Sequence, residues 1–166
     1  MSKAFTRESD DSGAQEIPSF RPKLPPGTRN FITAEGAAAL KHRLKNLLEQ
    51  KQGLTANSNE PAAEAELRKL ESAIRNLQRI LDSVVVAEIP ADLEKIAFGA
   101  TVLVRHANGE EEAYRIVGVE ESDPDHHSIS WISPLARALL SRRAGDKVRF
   151  RAPAGEEELI ILSVRY

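Results

Sequence analysis

The sequence predicts an α+β protein: an antiparallel coiled-coil hairpin of two helices, then a mostly antiparallel β domain carrying one short helix. Three observations point there. Between residues 33 and 86 the apolar positions step by threes and fours, and from residue 89 onward they alternate in short runs. The aromatic residues, five Phe, two Tyr and one Trp, leave a gap from Phe31 to Phe98. A globular core seldom spares large rings over such a length, so the gap predicts an element whose core is its own aliphatic seam.

Residues 1 to 30 are rich in Ser, Asp, Pro and Gly and keep no helical or strand period. Such a composition cannot offset its ordering entropy by burial, so this segment is expected to be a disordered tail. Phe5, Ile17 and Phe20 are its candidates for a short docking segment.

Residues 31 to 88 are expected to form the hairpin. Ala63, Leu67, Leu70, Ile74, Leu77, Leu81 and Val84 follow the a/d spacing of a coiled-coil seam, and Ala37, Leu40, Leu44 and Leu47 repeat it upstream. Neither stripe is stable in water, and the link between them is short, so the two pack on each other. Thr33 suits the N-cap of the first helix, with Glu35 in its first turn. Gly53 supplies the stop, and Pro61 suits the first turn of the second helix. The tip is then the stretch from Gly53 to Glu60. Helices of about twenty residues extend on the order of 30 Å, beyond the width of a small sheet domain. A rigid arm of that kind, with its core internal, is built to reach into or along a partner.

Residues 89 to 166 change to strand alternation. Ala100 to His106 and Glu112 to Val119 flank Asn108-Gly109, a dipeptide suited to the positive φ of a hairpin turn. Ser128 to Ser133, Lys147 to Pro153 and Glu158 to Tyr166 supply three more strands, the last two joined through Pro153 to Gly155. Ser133 and Pro134 suit the N-cap and first position of a two-turn helix, Pro134 to Arg142, followed by Gly145.

The 166 residues include 23 basic and 25 acidic ones, a net charge of -2, which gives no net attraction to a phosphate backbone. The absence of Cys excludes disulfides, thiolate metal sites and a Cys nucleophile. No apolar run approaches the roughly 20 residues of a membrane span, and the first 30 residues lack a signal-peptide core, so a cytoplasmic protein is expected. One local cluster stands out: Arg137, Arg142, Arg143, Lys147, Arg149 and Arg151, opposed only by Asp146. It predicts one basic face on the β domain, either ordinary solvated Arg on a small helix or a contact patch for an acidic protein surface or RNA.

Little in the sequence resembles a catalytic constellation. Asp123-Pro124-Asp125-His126-His127 combines carboxylates and imidazoles, but neighbours along a strand face opposite ways, and a polar turn is the expected form. His106 is expected on the strand surface and His42 beside the seam. No Gly-rich phosphate loop and no nucleophile elbow occurs. Trp131, at the end of a strand, is expected in the core.

Several ordered segments resemble the bacterial Gre-type transcription elongation factors: Thr33 to Gly36, Phe98 to Val104, Tyr114 to Glu120, Ile129 to Leu140 with its Ser-Pro-Leu-Ala-Arg-Ala-Leu-Leu block, Gly145-Asp146, and Pro153 to Gly155. The resemblance covers about residues 30 to 166. It implies an FKBP-like C-terminal domain that docks on RNA polymerase near the mouth of the secondary channel, with the arm pointing toward the active centre. Trp131, Ile132, Ser133, Pro134, Arg137, Arg142 and Arg143 are the expected docking residues. The factor would be a monomeric accessory protein with the polymerase core as partner, at most weak and salt-sensitive nucleic-acid contact, no catalytic residues, no cofactor and no metal of its own.

In factors of this type the tip carries an acidic pair in a pattern like Gly-Asp-x-x-Glu-Asn, which helps the polymerase hold a second Mg²⁺ for hydrolysis of backtracked RNA. This tip departs from the pattern, reading Gly-Leu-Thr-Ala-Asn-Ser-Asn-Glu, and the arm is shorter in leucine repeats. Asn57 and Asn59 are neutral, poor substitutes for carboxylates around Mg²⁺. The expectation is a polymerase-binding elongation regulator with weak or no stimulation of transcript cleavage. Two alternatives stay open: an active cleavage factor using Glu60 or Glu64 at the tip, and a short-armed regulator of nucleoside diphosphate kinase.

Overall fold

The computed structural model describes residues 24 to 56 and 61 to 166. The expected tail segments around Phe5, Ile17 and Phe20, and the tip residues Asn57, Asn59 and Glu60, lie outside the described residues.

Two helices form the arm: α1 (Ala34–Ala56) and α2 (Pro61–Ser83). Thr33 is the N-cap of α1, its hydroxyl accepting from Gly36 N at 3.0 Å. Ala37, Ile74 and Leu77 are buried near the arm's base, and Leu40, Leu44, Leu47, Leu67 and Leu70 continue the seam half-buried. The helix does not stop at Gly53, as the sequence led us to expect. A glycine costs only about 1 kcal/mol in a helix, and Leu54, half-buried in the next seam position, continues the pattern. The intervening seam position is Lys51, whose Nζ meets Glu71 Oε1 across the arm at 2.8 Å.

At the base, two short strands flank the hairpin: β1 (Asn30–Ile32) and β2 (Val84–Val86). They pair in parallel, Asn30 with Val84, Phe31 with Val85 and Ile32 with Val86. This corrects the placement of Val84 at the end of the second helix. Three consecutive valines are stiff at χ1 and favour extended backbone, which outweighs the last step of a helical period.

The remaining chain builds one five-stranded sheet from β3 (Thr101–His106), β4 (Glu111–Val117), β5 (Ser128–Ser130), β6 (Lys147–Ala152) and β7 (Gly155–Arg165). The order is β5-β4-β3-β7-β6, antiparallel except for the β4–β5 pair. The β3–β4 hairpin turns at Asn108-Gly109 as expected, with Gly109 at φ +89°. Helix α3 (Pro134–Leu139) packs against β6 on one sheet face. The core there is Ile96, Ala100, Val102, Val104, Ile116, Ala136, Leu139, Val148, Leu159 and Ile161.

Several expected elements are shorter, among them the strand expected over Glu112 to Val119, which ends at Val117 because Val119 enters a 3-10 turn. The strand opening at Ser128 ends at Ser130, because Ser133 N turns back to Ser130 O at 2.8 Å and starts α3. The helix itself ends at Leu139, where Ser141 N and Arg142 O are captured by Ile96 O and Ile96 N, both at 2.8 Å. Among the described residues, no helix is long and apolar enough to cross a membrane.

Candidate functional site

The root of the arm is held on the sheet domain by a carboxylate. Glu121 lies in a 3-10 turn, Val119–Glu121, directly after β4. Its Oε2 accepts from Thr33 N at 2.9 Å and from Gly118 N at 3.0 Å, and its Oε1 accepts from the Thr33 hydroxyl. Thr33 is buried, and its hydroxyl both donates to Glu121 and accepts from Gly36 N. A second strap runs from Arg115 on β4 to Glu35 in the first turn of α1. The guanidinium holds the Glu35 carboxyl below the usual carboxylate range.

Apolar contact completes the joint. Phe31 meets Trp131 edge-on with ring centroids 5.7 Å apart and Phe98 at 5.9 Å. Ile32 is fully buried, and its carbonyl accepts from Ala87 N at 2.9 Å. A cavity of about 120 Å³ beside the joint is lined by Glu35, Ile89, Phe98, Arg115 and Tyr166. That is well below the roughly 300 Å³ at which ligand pockets begin.

From Trp131 the chain passes directly into the surface expected to dock. Ser133 is the N-cap of α3, accepting from Ala136 N at 3.1 Å, and Pro134 stands exposed at the first helical position. Arg137 and Arg142 are exposed, and no carboxylate pairs with either among the described residues. Arg143 differs: its guanidinium forks to Asp92 at 2.6 Å and Glu94 at 2.7 Å, tying the segment after the arm to the loop after α3.

The single basic face expected from the sequence is divided. Val148 of β6 is buried under α3, so Lys147, Arg149 and Arg151 alternate with it and stand on the opposite side of the sheet from Arg137. Arg149 is further paired with Glu158 at 2.8 Å.

Residues 90 to 166 match the family model described as transcription elongation factor, GreA/GreB, C-term. Over 155 residues the chain is 35% identical to transcription elongation factor GreB of Neisseria meningitidis serogroup A, covering 84% of this chain and 95% of that protein. This chain belongs to the GreA/GreB family of transcription elongation factors. GreB of Pseudomonas aeruginosa is 36% identical over 162 residues, covering 89% of this chain and 96% of that one. GreA of Bacillus anthracis is 32% identical over 150 residues, covering 81% and 95%. The 155 residues matched in the Neisseria protein correspond to only 84% of a 166-residue chain. That GreB therefore holds residues, within the matched stretch, that this family member lacks.

In this Gre-family chain Glu64 is the one tip candidate among the described residues. It lies in the first turn of α2, exposed, with its carboxylate 3.9 Å from Arg68. Asp123 and His126 form a polar turn, His126 Nδ1 lying 2.7 Å from Asp123 Oδ2 within the 3-10 turn Pro124–His126. His106 is not on the strand surface as expected. Its side chain is 20% exposed, with Nε2 3.3 Å from Glu112 and Nδ1 3.8 Å from Glu157. The Tyr114 hydroxyl donates to Glu112 and holds that carboxyl below its usual range, helped by the charges of His106 and His127. Burial, and then Glu112, push the Tyr114 phenol up.

Sequence reasoning missed Glu121 in the Gre-family joint. The available signal was Gly36: a threonine N-cap usually prefers Glu or Gln three residues on, and the sequence places a glycine there.

Proposed function

We propose that this Gre-family chain binds bacterial RNA polymerase as an elongation regulator and stimulates transcript cleavage weakly or not at all. It seats the surface around Ile132, Pro134, Arg137 and Arg142 near the mouth of the secondary channel and directs the arm inward. The observation that carries this reading is the tip. Only four residues, Asn57-Ser58-Asn59-Glu60, separate α1 from α2, and they hold one carboxylate. Completing the oxygen shell of a catalytic Mg²⁺ takes carboxylates held at the metal. Glu64 is a weak substitute, because it sits within the first turn of the second helix beside Arg68. Arms of 23 residues per helix rise roughly 34 Å.

The test uses the full chain, purified polymerase core, and stalled elongation complexes with a backtracked RNA 3′ end. Binding without RNA shortening above polymerase alone is the expected result. RNA shortening that disappears in Glu60→Ala would return the chain to the active cleavage factors. Absence of binding to the core would overturn the partner.

A further inference from the structure

We propose that Glu121 is a positioning residue that sets the direction of the arm by completing, from the sheet domain, the N-cap of α1. A capping box normally lies within one helix: the N-cap hydroxyl accepts from the N3 amide, and an acidic or amide side chain at N3 reaches back to the N-cap amide. Here the first half is local, Thr33 Oγ1 accepting from Gly36 N at 3.0 Å. The second half comes from 88 residues away, with Glu121 accepting Thr33 N at 2.9 Å.

The glycine at N3 fits this arrangement. A β-carbon on Gly36 would lie closer than 3.0 Å to the Glu121 carboxylate and its stem. The N3 position is thus emptied so that a carboxylate from the other domain can enter. Glu121 is also fixed at its own end, by Gly118 N at 3.0 Å. One side chain therefore links the 3-10 turn after β4 to the first turn of a 23-residue lever. A small rotation at the root of such an arm becomes a displacement of many ångströms at its tip. The Arg115–Glu35 strap is half-exposed, and surface ion pairs of that kind contribute little rigidity.

The consequence for transcription rests on the polymerase reading above, since direction matters only to an arm that enters a channel. The joint is tested without polymerase. The chain has no cysteine, so Ser72→Cys on the exposed face of α2 and Ala154→Cys in the β6–β7 turn give a clean spin-label pair. Double electron-electron resonance then reads the spread of arm positions in the full chain. Glu121→Ala is expected to broaden the distance distribution at least twofold, and Glu121→Gln to broaden it less. Gly36→Ala is expected to broaden it as well, although alanine is the better helix former, because its methyl displaces the same carboxylate. If Glu121→Ala fails to fold by circular dichroism, Gly36→Ala decides.

The pair Gly36→Glu with Glu121→Ala separates positioning from helix capping. It rebuilds the box within α1, and is expected to restore helical content but leave the distribution broad. An unchanged width in Glu121→Ala, a narrow one in the double variant, or equal broadening by Arg115→Ala would each overturn the proposal. Polymerase affinity and elongation rate are measured on the same variants. A loosened arm that leaves both unchanged counts against the polymerase reading and not against the joint.

Discussion

The carbonyl oxygen of Phe31 lies so close to Gly118 that a β-carbon there would stand within 3.0 Å of it. The φ of Gly118 is -67°, open to any residue, so close approach alone requires the glycine. Gly118→Ala must push β1, and with it the arm's root, off the sheet domain. Because the obstacle is backbone and not a movable side-chain end, we expect a loss of about 1–3 kcal/mol and a lower melting temperature. An unchanged melting temperature would show that β1 retreats at no cost.

Arg142 and Arg143 are neighbours with different duties. Arg143→Ala removes contacts to Asp92 and Glu94 and is expected to cost about 1 kcal/mol, as half-exposed pairs do. Arg142→Glu touches no such contact among the described residues and should change stability by under about 0.5 kcal/mol. It should nevertheless weaken polymerase binding about tenfold or more, if that surface docks. Paired melting curves and binding titrations decide it; equal effects of both substitutions on both readouts would merge the two roles.

The elements with a strong period were legible in the sequence. The seam of Leu40, Leu44, Leu67 and Leu70 has a helical period, and Val102, Val104 and Val148 a strand period, because burial on one face repeats with the backbone. What the sequence hid was long-range. The basic residues Arg137 and Arg149 are close along the chain, yet the sheet separates them. Glu121 is a carboxylate in an acidic run, and nothing local says that its partner is Thr33. His106 gains Glu112 and Glu157 only when β3 pairs with strands on both sides. Such contacts depend on register, which composition does not encode.

Tyr114 and Glu112 should give the sheet domain a stability plateau between two pH limits. The Glu112 carboxyl is held low, first by the Tyr114 hydroxyl, so its contribution is present above the ordinary carboxylate value of about 4.3 and is lost as pH falls through its folded value. The Tyr114 phenol is pushed up, first by burial, so its contribution is present below about 10 and is lost as pH rises toward its folded value. Tyr114→Phe removes the hydrogen bond between them. Melting temperatures measured between about pH 3 and 11 should then fall off less steeply at both ends than in the unsubstituted chain. A variant profile parallel to the original would mean that the pair is not coupled to folding.

Trp131 is the chain's single tryptophan, so its fluorescence reports directly on the joint. Its ring meets Phe31 edge-on, and Phe31 in turn meets Phe98, so one phenylalanine from the arm's root stands between two rings of the sheet domain. Phe31→Ala removes both contacts while leaving the backbone hydrogen bonds of β1 in place. For a half-buried ring we expect a cost of about 2 kcal/mol, below the 3–5 of a full core position. Water then reaches the indole and its emission shifts to the red. Phe98→Ala keeps the Phe31–Trp131 contact and should shift the emission less. A red shift in Phe98→Ala but not in Phe31→Ala would place the indole's cover in the sheet domain alone, and the arm would then be held by its polar straps without aromatic help.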